Sequence, residues 1–108
     1  MTAQPFVADL AALLADHNGT GYREFLRVPA LSLGLFTAQP GYDDIQEPHQ
    51  QDEVYVVLGG RAVLDIDGTP TPVQPGTIAY VPRRITHRFT NVSEDLRVLV
   101  MFAPLPPL

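Results

Sequence analysis

The histidines are the first residues in this chain of 108 that indicate chemistry, because there are only three of them. His49 and His87 each lie at the edge of a predicted strand among polar neighbours, in the segments QEPHQQDEVYVV and PRRITHRFTN. Two imidazoles and one carboxylate form the facial donor set of non-haem Fe(II), which leaves positions open for substrate or oxygen. The same donor types bind Zn²⁺, Mn²⁺ or Ni²⁺, so the residue types alone do not select the ion.

The third histidine, His17, lies at the predicted end of an N-terminal helix. An imidazolium at that position complements the helix dipole. We therefore interpret His17 as a capping residue and not as a metal ligand.

The elements that must position the other two histidines are predicted to be mostly strands. Asp67-Gly68 indicates a hairpin, because a type I′ turn needs positive φ at both central residues. About eight short strands divided by turn residues are typical of a barrel or a sandwich. The predicted strands are 22–28, 31–36, 54–58, 61–66, 71–73, 77–81, 87–91 and 96–102.

One helix is predicted over residues 6–17, where Phe and Leu side chains recur at helical spacing before an Asn-Gly stop signal. We expect this helix to lie against the barrel or against a partner subunit. The predicted organisation is an N-terminal helical segment in residues 1–20, a β-barrel in residues 21–103 and a proline-rich tail in residues 104–108.

Two segments of the chain resemble the two characteristic motifs of the cupin superfamily. The first motif, G-x5-H-x-H-x3-E-x6-G, is matched in register by Gly41, His49, Glu53 and Gly60. The second motif, G-x5-P-x-G-x2-H-x3-N, is matched in register by Gly76, Pro82, His87 and Asn91. The departures are Glu47, which stands in place of a histidine, and Arg84, which stands in place of a glycine.

This resemblance implies an all-β fold, the cupin jelly-roll barrel or double-stranded β-helix, with one short N-terminal α-helix. It also implies that His49, Glu53 and His87 are the ligands of one divalent metal ion, which would be Fe, Zn, Mn or Ni. The wider sequence is similar to a group of small single-domain bacterial cupins, and this similarity indicates a fold and a site but no substrate.

Three interpretations of Glu47 stay open. As a fourth ligand it would bring two carboxylates to the ion and favour harder ions such as Mn²⁺ or Fe²⁺. As a free carboxylate near the metal it would serve as a general base toward a metal-bound water. It would instead face solvent at the barrel rim if Pro48 breaks the strand alternation.

Two further alternatives concern the site as a whole. Without a metal, the two histidines and Glu53 would form a buried hydrogen-bonded network, which is stable only when every member is satisfied. Tyr55 is a candidate catalytic residue that would offer its hydroxyl to a substrate, although a buried strand tyrosine also serves simply as packing.

Composition excludes several classes of function. The chain has no cysteine, so disulfides and thiolate metal sites are absent, and its net charge of −5 argues against binding to nucleic acid. The N-terminus has no basic region, and Asp9 and Asp16 interrupt its apolar residues, so we expect neither a signal peptide nor a membrane span. We therefore expect a cytoplasmic protein that does not bind membranes.

Three functions remain compatible with the sequence. The first is a metal-dependent enzyme, of dioxygenase or isomerase type, that acts on a small organic molecule in the barrel. The second is a small-ligand binding or sensing module without turnover, and the third is a structural homodimer with a degenerate pocket. Fold resemblance does not choose between them, because one fold hosts many functions. A homodimer is expected in each case, since a barrel of this size buries little area alone.

Overall fold

Alternating apolar and polar residues fold most of the chain into antiparallel strands. The structure is a computed structural model that describes residues 4–17, 19–44 and 48–104. Within those ranges it contains one helix, α1 (Leu10–Asp16), and six strands. The strands are β1 (Gly21–Arg27), β2 (Ser32–Ala38), β3 (Asp52–Ile66), β4 (Thr69–Val73), β5 (Ile78–Val81) and β6 (His87–Ala103).

The strands form one antiparallel sheet that joins the beginning, the middle and the end of the chain. Its order is β1-β2-β6-β3-β4, and β5 pairs with β3 beside this path. The two long strands β3 and β6 pair along their whole length, from Asp52 opposite Ala103 to Ile66 opposite His87. This architecture confirms the predicted all-β jelly roll with one short helix.

The core lies on the inner face of the rolled sheet. Residues two apart in a strand share a face, and cross-strand pairing continues that face from one strand to the next. Phe36 of β2 pairs with Val98 of β6, which pairs with Val57 of β3, and all three side chains are buried. Phe89 and Val100 are buried as well.

Two predicted turns are bends inside long strands, which is why six strands replace the predicted eight. The first is Gly59-Gly60 in β3, and the second is the segment 93–95 in β6. The pairing register between β3 and β6 shifts three times between Val57 and Val63, which is the signature of bulges. Glycine at such a position bends a strand without ending it, so the two halves continue as one strand.

The hairpin predicted at Asp67-Gly68 is confirmed. Both residues have positive φ, 51° at Asp67 and 83° at Gly68, as a type I′ turn requires. Asp65 stabilises the turn, because its Oδ1 accepts a hydrogen bond of 2.9 Å from the backbone N–H of Gly68.

The helix is shorter than predicted and begins at Leu10. The carboxylate of Asp9 accepts a hydrogen bond from the backbone N–H of Ala11 (3.2 Å), so Asp9 is the N-cap and excludes the preceding residues from the helix. No residue of α1 is fully buried, although two of its leucines are half-buried. Just before the helix, the Phe6 ring stacks on Phe25 of β1 with the ring centroids 6.1 Å apart. The N-terminal segment therefore contacts the edge strand β1, and contact with a partner subunit stays a prediction. Among the described residues, no helix has the length and apolar character needed to cross a bilayer.

His17 occupies the C-cap of α1, as predicted, but its side chain contacts the next element. Its backbone N–H donates to the carbonyl of Leu14 (3.2 Å), while its Nε2 lies 3.2 Å from the carbonyl oxygen of Gly21. The imidazole therefore ties the end of α1 to the start of β1. Of the proline-rich tail only Pro104 belongs to the described residues, so the prediction for residues 105–108 lies outside them.

Candidate metal centre

A bend in the long strands brings the candidate ligands together. Glu53 is the second residue of β3, and His87 pairs with Ile66 at the opposite end of the same strand. A straight strand would separate these positions by about 40 Å, at roughly 3.3 Å per residue. The bend near Gly60 folds one half of the β3–β6 pair over the other, so His87 lies beside Glu53.

The three predicted ligands form one compact group. The Nε2 atom of His87 lies 2.8 Å from Oε1 of Glu53, and the Nε2 atom of His49 lies 3.9 Å from the same oxygen. One ligand atom from each residue lies within 4.8 Å of the other two. Glu53 and His87 are buried, whereas the His49 side chain is 35 % exposed and has room to turn.

The hydrogen bonds of His87 define which nitrogen faces the group. Its Nδ1 lies 2.8 Å from the carbonyl oxygen of Ile85 and must donate a proton there. In the neutral ring, Nε2 therefore presents a lone pair toward the Glu53 carboxylate. Neither Nε2 of His87 nor Oε1 of Glu53 makes a well-directed hydrogen bond in the described part of the chain.

Two lone pairs held 2.8 Å apart in a buried site repel each other unless a proton or a metal ion binds them. Neighbouring donor atoms of a divalent ion bound at about 2.0–2.2 Å are roughly 2.8–3.6 Å apart. The distance between Glu53 and His87 lies at the lower end of this range, and His49, 3.9 Å from Glu53, would have to move closer by a few tenths of an ångström. A ligating histidine also characteristically donates its other N–H to a carbonyl, as His87 does to Ile85. The described residues therefore fit a metal ion.

A proton competes with the metal for His87. Burial lowers the pKa of His87, but the Glu53 carboxylate and the Ile85 carbonyl outweigh burial and raise the pKa above its ordinary value. A proton on Nε2 of His87 would face the Glu53 carboxylate, and a metal ion would have to displace that proton.

Two hydrogen bonds hold the ligand-bearing loops against each other. The backbone N–H of Arg84 donates to the carbonyl of His49 at 2.7 Å. The backbone N–H of Arg83 donates to Oδ1 of Asp52 at 3.0 Å, and the Arg83 Nε lies 3.5 Å from the same oxygen. Arg84 has a φ of 66°, which explains the glycine of the family motif at this position.

Asp52 therefore positions the ligands on either side of it, and we expect its contribution to depend on pH. The Arg83 backbone N–H, aided by the Arg83 side chain, lowers the pKa of Asp52 below its ordinary 3.8. A lowered folded-state pKa adds stability above the unfolded pKa, and this stability is lost as pH falls through the folded value. Asp52→Asn should therefore unfold at lower urea concentration than wild type near neutral pH, and the difference should shrink below about pH 4.

The control for this experiment is Asp43→Asn, since the exposed Asp43 carboxylate lies 4.0 Å from Arg88 and has no comparable backbone hydrogen bond in the described structure. The control variant should match the wild-type urea midpoint. A pH-independent difference between wild type and Asp52→Asn would contradict the assignment.

The cavity in front of the three ligands has a volume of about 490 Å³. His49, Glu53 and Tyr55 line it, so the structure brings these predicted site residues to one space. Tyr55 is 2 % exposed, and its ring centroid lies 6.0 Å from that of His87. Its catalytic role stays a prediction. Glu47 lies outside the described residues, and its three interpretations stay open.

Sequence reasoning missed Asp44 as a site residue. Asp44 is buried, lines the same cavity, and accepts a hydrogen bond from the backbone N–H of Phe89 at 2.8 Å. Its carboxylate also contributes to the raised pKa of His87. Asp44 lies inside the first motif, between Gly41 and His49, at a position where the motif accepts any residue. The motif therefore gave no reason to single it out.

Comparison with known proteins agrees with this geometry. The family model described as Cupin domain matches residues 34–102. An uncharacterized protein of Streptomyces coelicolor is 46 % identical over 96 residues, which cover 89 % of this chain and 90 % of that protein. A solved structure from Bacillus halodurans has a TM-score of 0.82 at 20 % identity and covers 97 % of this chain and 85 % of its own. That likeness supports the fold alone.

More distant relatives carry functional names. The polyketide synthase CurC of Streptomyces cyaneus is 33 % identical over 78 residues, which cover 69 % of this chain and 50 % of CurC. The dimethylsulfoniopropionate lyase DddW of Ruegeria pomeroyi is 31 % identical over 71 residues, which cover 66 % of this chain and 47 % of DddW. The chain thus spans about half the length of these two relatives.

Proposed function

The chain belongs to the cupin family, and on that premise we propose that it is a metal-dependent enzyme acting on a small organic molecule. The reaction would be of dioxygenase or isomerase type, with His49, Glu53 and His87 as the metal ligands. One observation carries the proposal. The buried atoms Oε1 of Glu53 and Nε2 of His87 face each other at 2.8 Å, and neither makes a well-directed hydrogen bond within the described residues.

The bound ion would supply Lewis acidity to an oxygen of the substrate. The chain's own residues divide the remaining tasks. The three ligands leave coordination positions open toward the cavity, and the buried Phe36 and Val100 exclude water from its floor. Asp44 contributes a buried carboxylate to the same space, where it can take up a proton from the substrate.

The named relatives support an enzyme. DddW is named as a lyase for dimethylsulfoniopropionate, a small organic molecule, and CurC is named as a polyketide synthase. Each shares about half of its length with this chain, so their substrates are not transferred. Their support extends to catalysis on a small molecule and no further.

The test is a search for turnover that depends on an intact metal site. Protein loaded with Fe²⁺, Mn²⁺, Zn²⁺ or Ni²⁺ is incubated with a small-molecule extract of Streptomyces mycelium, and mass spectrometry identifies compounds whose amounts change. An oxygen electrode read in parallel separates an oxygenase from an isomerase or lyase. We expect at least one compound to change with wild type and to stay constant with Glu53→Gln.

Glu94→Gln is the matched control, because Glu94 is exposed and pairs with Arg61 at 3.3 Å, outside the cavity. It should turn over the same compounds as wild type. If no compound changes with any of the four ions, the enzyme proposal fails. Compounds that copurify unchanged with the protein would then favour the binding module, and an empty protein would favour the structural homodimer.

A further inference from the structure

Aromatic side chains are concentrated around the cavity. The chain has five Phe and four Tyr residues, and five of these nine aromatic residues line the cavity beside the candidate ligands. The five are Tyr22, Phe36, Tyr42, Tyr55 and Phe102. Two ring pairs form its walls: Tyr22 lies edge-on to Phe102 at 5.9 Å, and Phe36 lies edge-on to Tyr42 at 5.9 Å. Aromatic walls of this kind favour flat, conjugated ligands.

A glycine holds the rim tyrosine in place. Gly34 of β2 pairs with Glu24 of β1, and a Cβ built on Gly34 would collide with the Tyr22 ring. The missing side chain therefore creates the slot in which Tyr22 lies. Burial, with Glu24 nearby, raises the pKa of Tyr22 to about 12, and Ser32 makes a hydrogen bond with its hydroxyl. Tyr22 is thus an uncharged phenol at neutral pH.

The arginine that faces the cavity is paired with a glutamate, because a bulge in β1 brings both side chains to the same side. The pairing of β1 with β2 shifts between Glu24 and Leu26, so Arg27 pairs with Ser32 and lines the cavity on the same side as Glu24. The Arg27 guanidinium binds Glu24 through two contacts, NH2 to Oε1 at 2.9 Å and Nε to Oε2 at 3.1 Å. The Glu24 carboxylate therefore already neutralises the charge of the Arg27 guanidinium.

The other charges in the cavity are negative. Asp44 and Glu53 are the remaining carboxylates among its described lining residues, and a divalent ion would balance them. After this balance, no cation among the described lining residues is left to pair with an anionic ligand. An anion that pairs with Arg27 would have to break the contact between Arg27 and Glu24 and leave Glu24 unpaired.

We infer that the cavity selects a neutral aromatic or conjugated molecule that carries an oxygen donor, and that Tyr22 and Phe102 contact its ring system. This inference rests on the proposed function, since it names the substrate class of the same site. The five aromatic residues supply the ring contacts. Because the charges of Glu24 and Arg27 neutralise each other, Arg27 does not attract an anion into the cavity.

Three probes of similar size test the inference. β-Naphthol is neutral and aromatic, β-naphthoate is anionic and aromatic, and β-decalol is neutral and saturated. Isothermal titration calorimetry measures each against Zn²⁺-loaded protein, since a redox-inert ion suppresses oxygen chemistry. We expect β-naphthol to bind about tenfold more tightly than either of the others. Equal or tighter binding of β-naphthoate or β-decalol, or no binding of β-naphthol, overturns the inference.

Substitutions of the rim residues Tyr22 and Phe102 test whether these side chains contact the ring system of the ligand. Tyr22→Leu should weaken β-naphthol binding about tenfold. Phe6→Leu is the matched control, because Phe6 is exposed, lies before α1 and is not among the described lining residues of the cavity. Phe102→Leu serves as a second variant should Tyr22→Leu fail to fold. Equal affinities in wild type and in the folded rim variants would contradict the assigned contacts.

The charge argument predicts a gain of binding. Glu24→Gln removes the partner of Arg27 and frees its guanidinium, so β-naphthoate affinity should rise about tenfold while β-naphthol affinity stays unchanged. A double variant, Glu24→Gln with Arg27→Gln, should return β-naphthoate to the wild-type affinity. If Glu24→Gln leaves β-naphthoate affinity unchanged, the neutralised pair does not set the selectivity.

Metal-free titrations separate this inference from the proposed function. If the protein takes up no Zn²⁺, the proposed function fails, and the ranking of the three probes in metal-free protein still decides the ligand class. If β-naphthol binds equally well with and without Zn²⁺, the aromatic walls are supported, while the metal loses its assigned role toward the ligand. If Zn²⁺ binds but β-naphthol does not, the inference alone is overturned.

Discussion

We expect the wild-type protein to bind one divalent metal ion and His87→Ala to lose it. His87 is the buried candidate ligand whose Nε2 lies 2.8 Å from Oε1 of Glu53 and whose Nδ1 is held by the Ile85 carbonyl. Loss of a hydrogen bond that orients a ligating histidine costs about 10–100-fold in metal affinity. Alanine removes both this hydrogen bond and the ligand itself, so it should cost more than about 100-fold.

The loss should be visible in stability as well as in metal content. An ion that binds the native state at 100 times its dissociation constant adds about 2.7 kcal/mol of stability. Added Zn²⁺ should therefore raise the melting temperature of wild type by roughly 10–20 °C, since a domain of this size gains about 4–8 °C per kcal/mol. The melting temperature of His87→Ala should not respond to Zn²⁺ below millimolar concentration. Inductively coupled plasma mass spectrometry gives the stoichiometry in the same samples.

The chain provides a matched control in its third histidine. His17 contacts the Gly21 carbonyl at the end of α1 and is not part of the ligand group. His17→Ala should bind about one ion per chain, the stoichiometry that we also expect of wild type. His49→Ala should have an intermediate affinity, because the half-exposed His49 side chain leaves a position that water can occupy. Equal metal content in His87→Ala and His17→Ala would remove His87 from the ligand set.

The proximity of the three candidate ligands could be predicted from the sequence because their positions match the two motifs of a known family. Glu53 and His87 are 34 positions apart in the chain, and no local pattern places them in contact. The two motifs do predict this contact. Their spacing sets where Glu53 lies along β3 and where His87 lies along β6, and the bend near Gly60 brings the two positions together. The alternation of apolar and polar residues predicted the strands, but it divided β3 and β6 into two strands each, at a glycine pair and at a polar run. Bulges and turns use the same residue types, so the sequence did not distinguish them.

The cavity wall could not be predicted in the same way. Strict alternation from Tyr22 places Glu24 on the inner face and Arg27 on the outer face. The bulge between Glu24 and Leu26 reverses this parity, and Arg27 lines the cavity beside Glu24. Neither Phe25 nor its neighbours carries a bulge signal such as glycine. Asp44 was missed for a related reason, since only tertiary packing shows that its carboxylate is buried against Phe89.

Gly60→Ala is expected to destabilise the barrel by about 2–5 kcal/mol, or to prevent folding. Gly60 has a φ of 86°, and a Cβ on it would collide with the backbone carbonyl of Asp95 in the paired strand. Left-handed backbone costs a non-glycine residue about 1–2 kcal/mol, and forced overpacking adds about 1–3 kcal/mol. Domains of this kind are stable by about 5–15 kcal/mol in total, so the variant should approach or cross the unfolding threshold.

Gly76→Ala isolates the conformational part of this cost. Gly76 has a φ of 93°, but a Cβ on it would meet no described atom within 4 Å. It should therefore lose only about 1–2 kcal/mol, as measured from urea midpoints at constant m-value. The difference between the two variants measures the close approach of β3 to β6 at Gly60. Because this approach folds the strand pair so that His87 reaches Glu53, folded Gly60→Ala should also bind Zn²⁺ more weakly than Gly76→Ala. Equal unfolding free energies for the two variants would show that the strands separate at Gly60 without cost, and that another contact sets the bend.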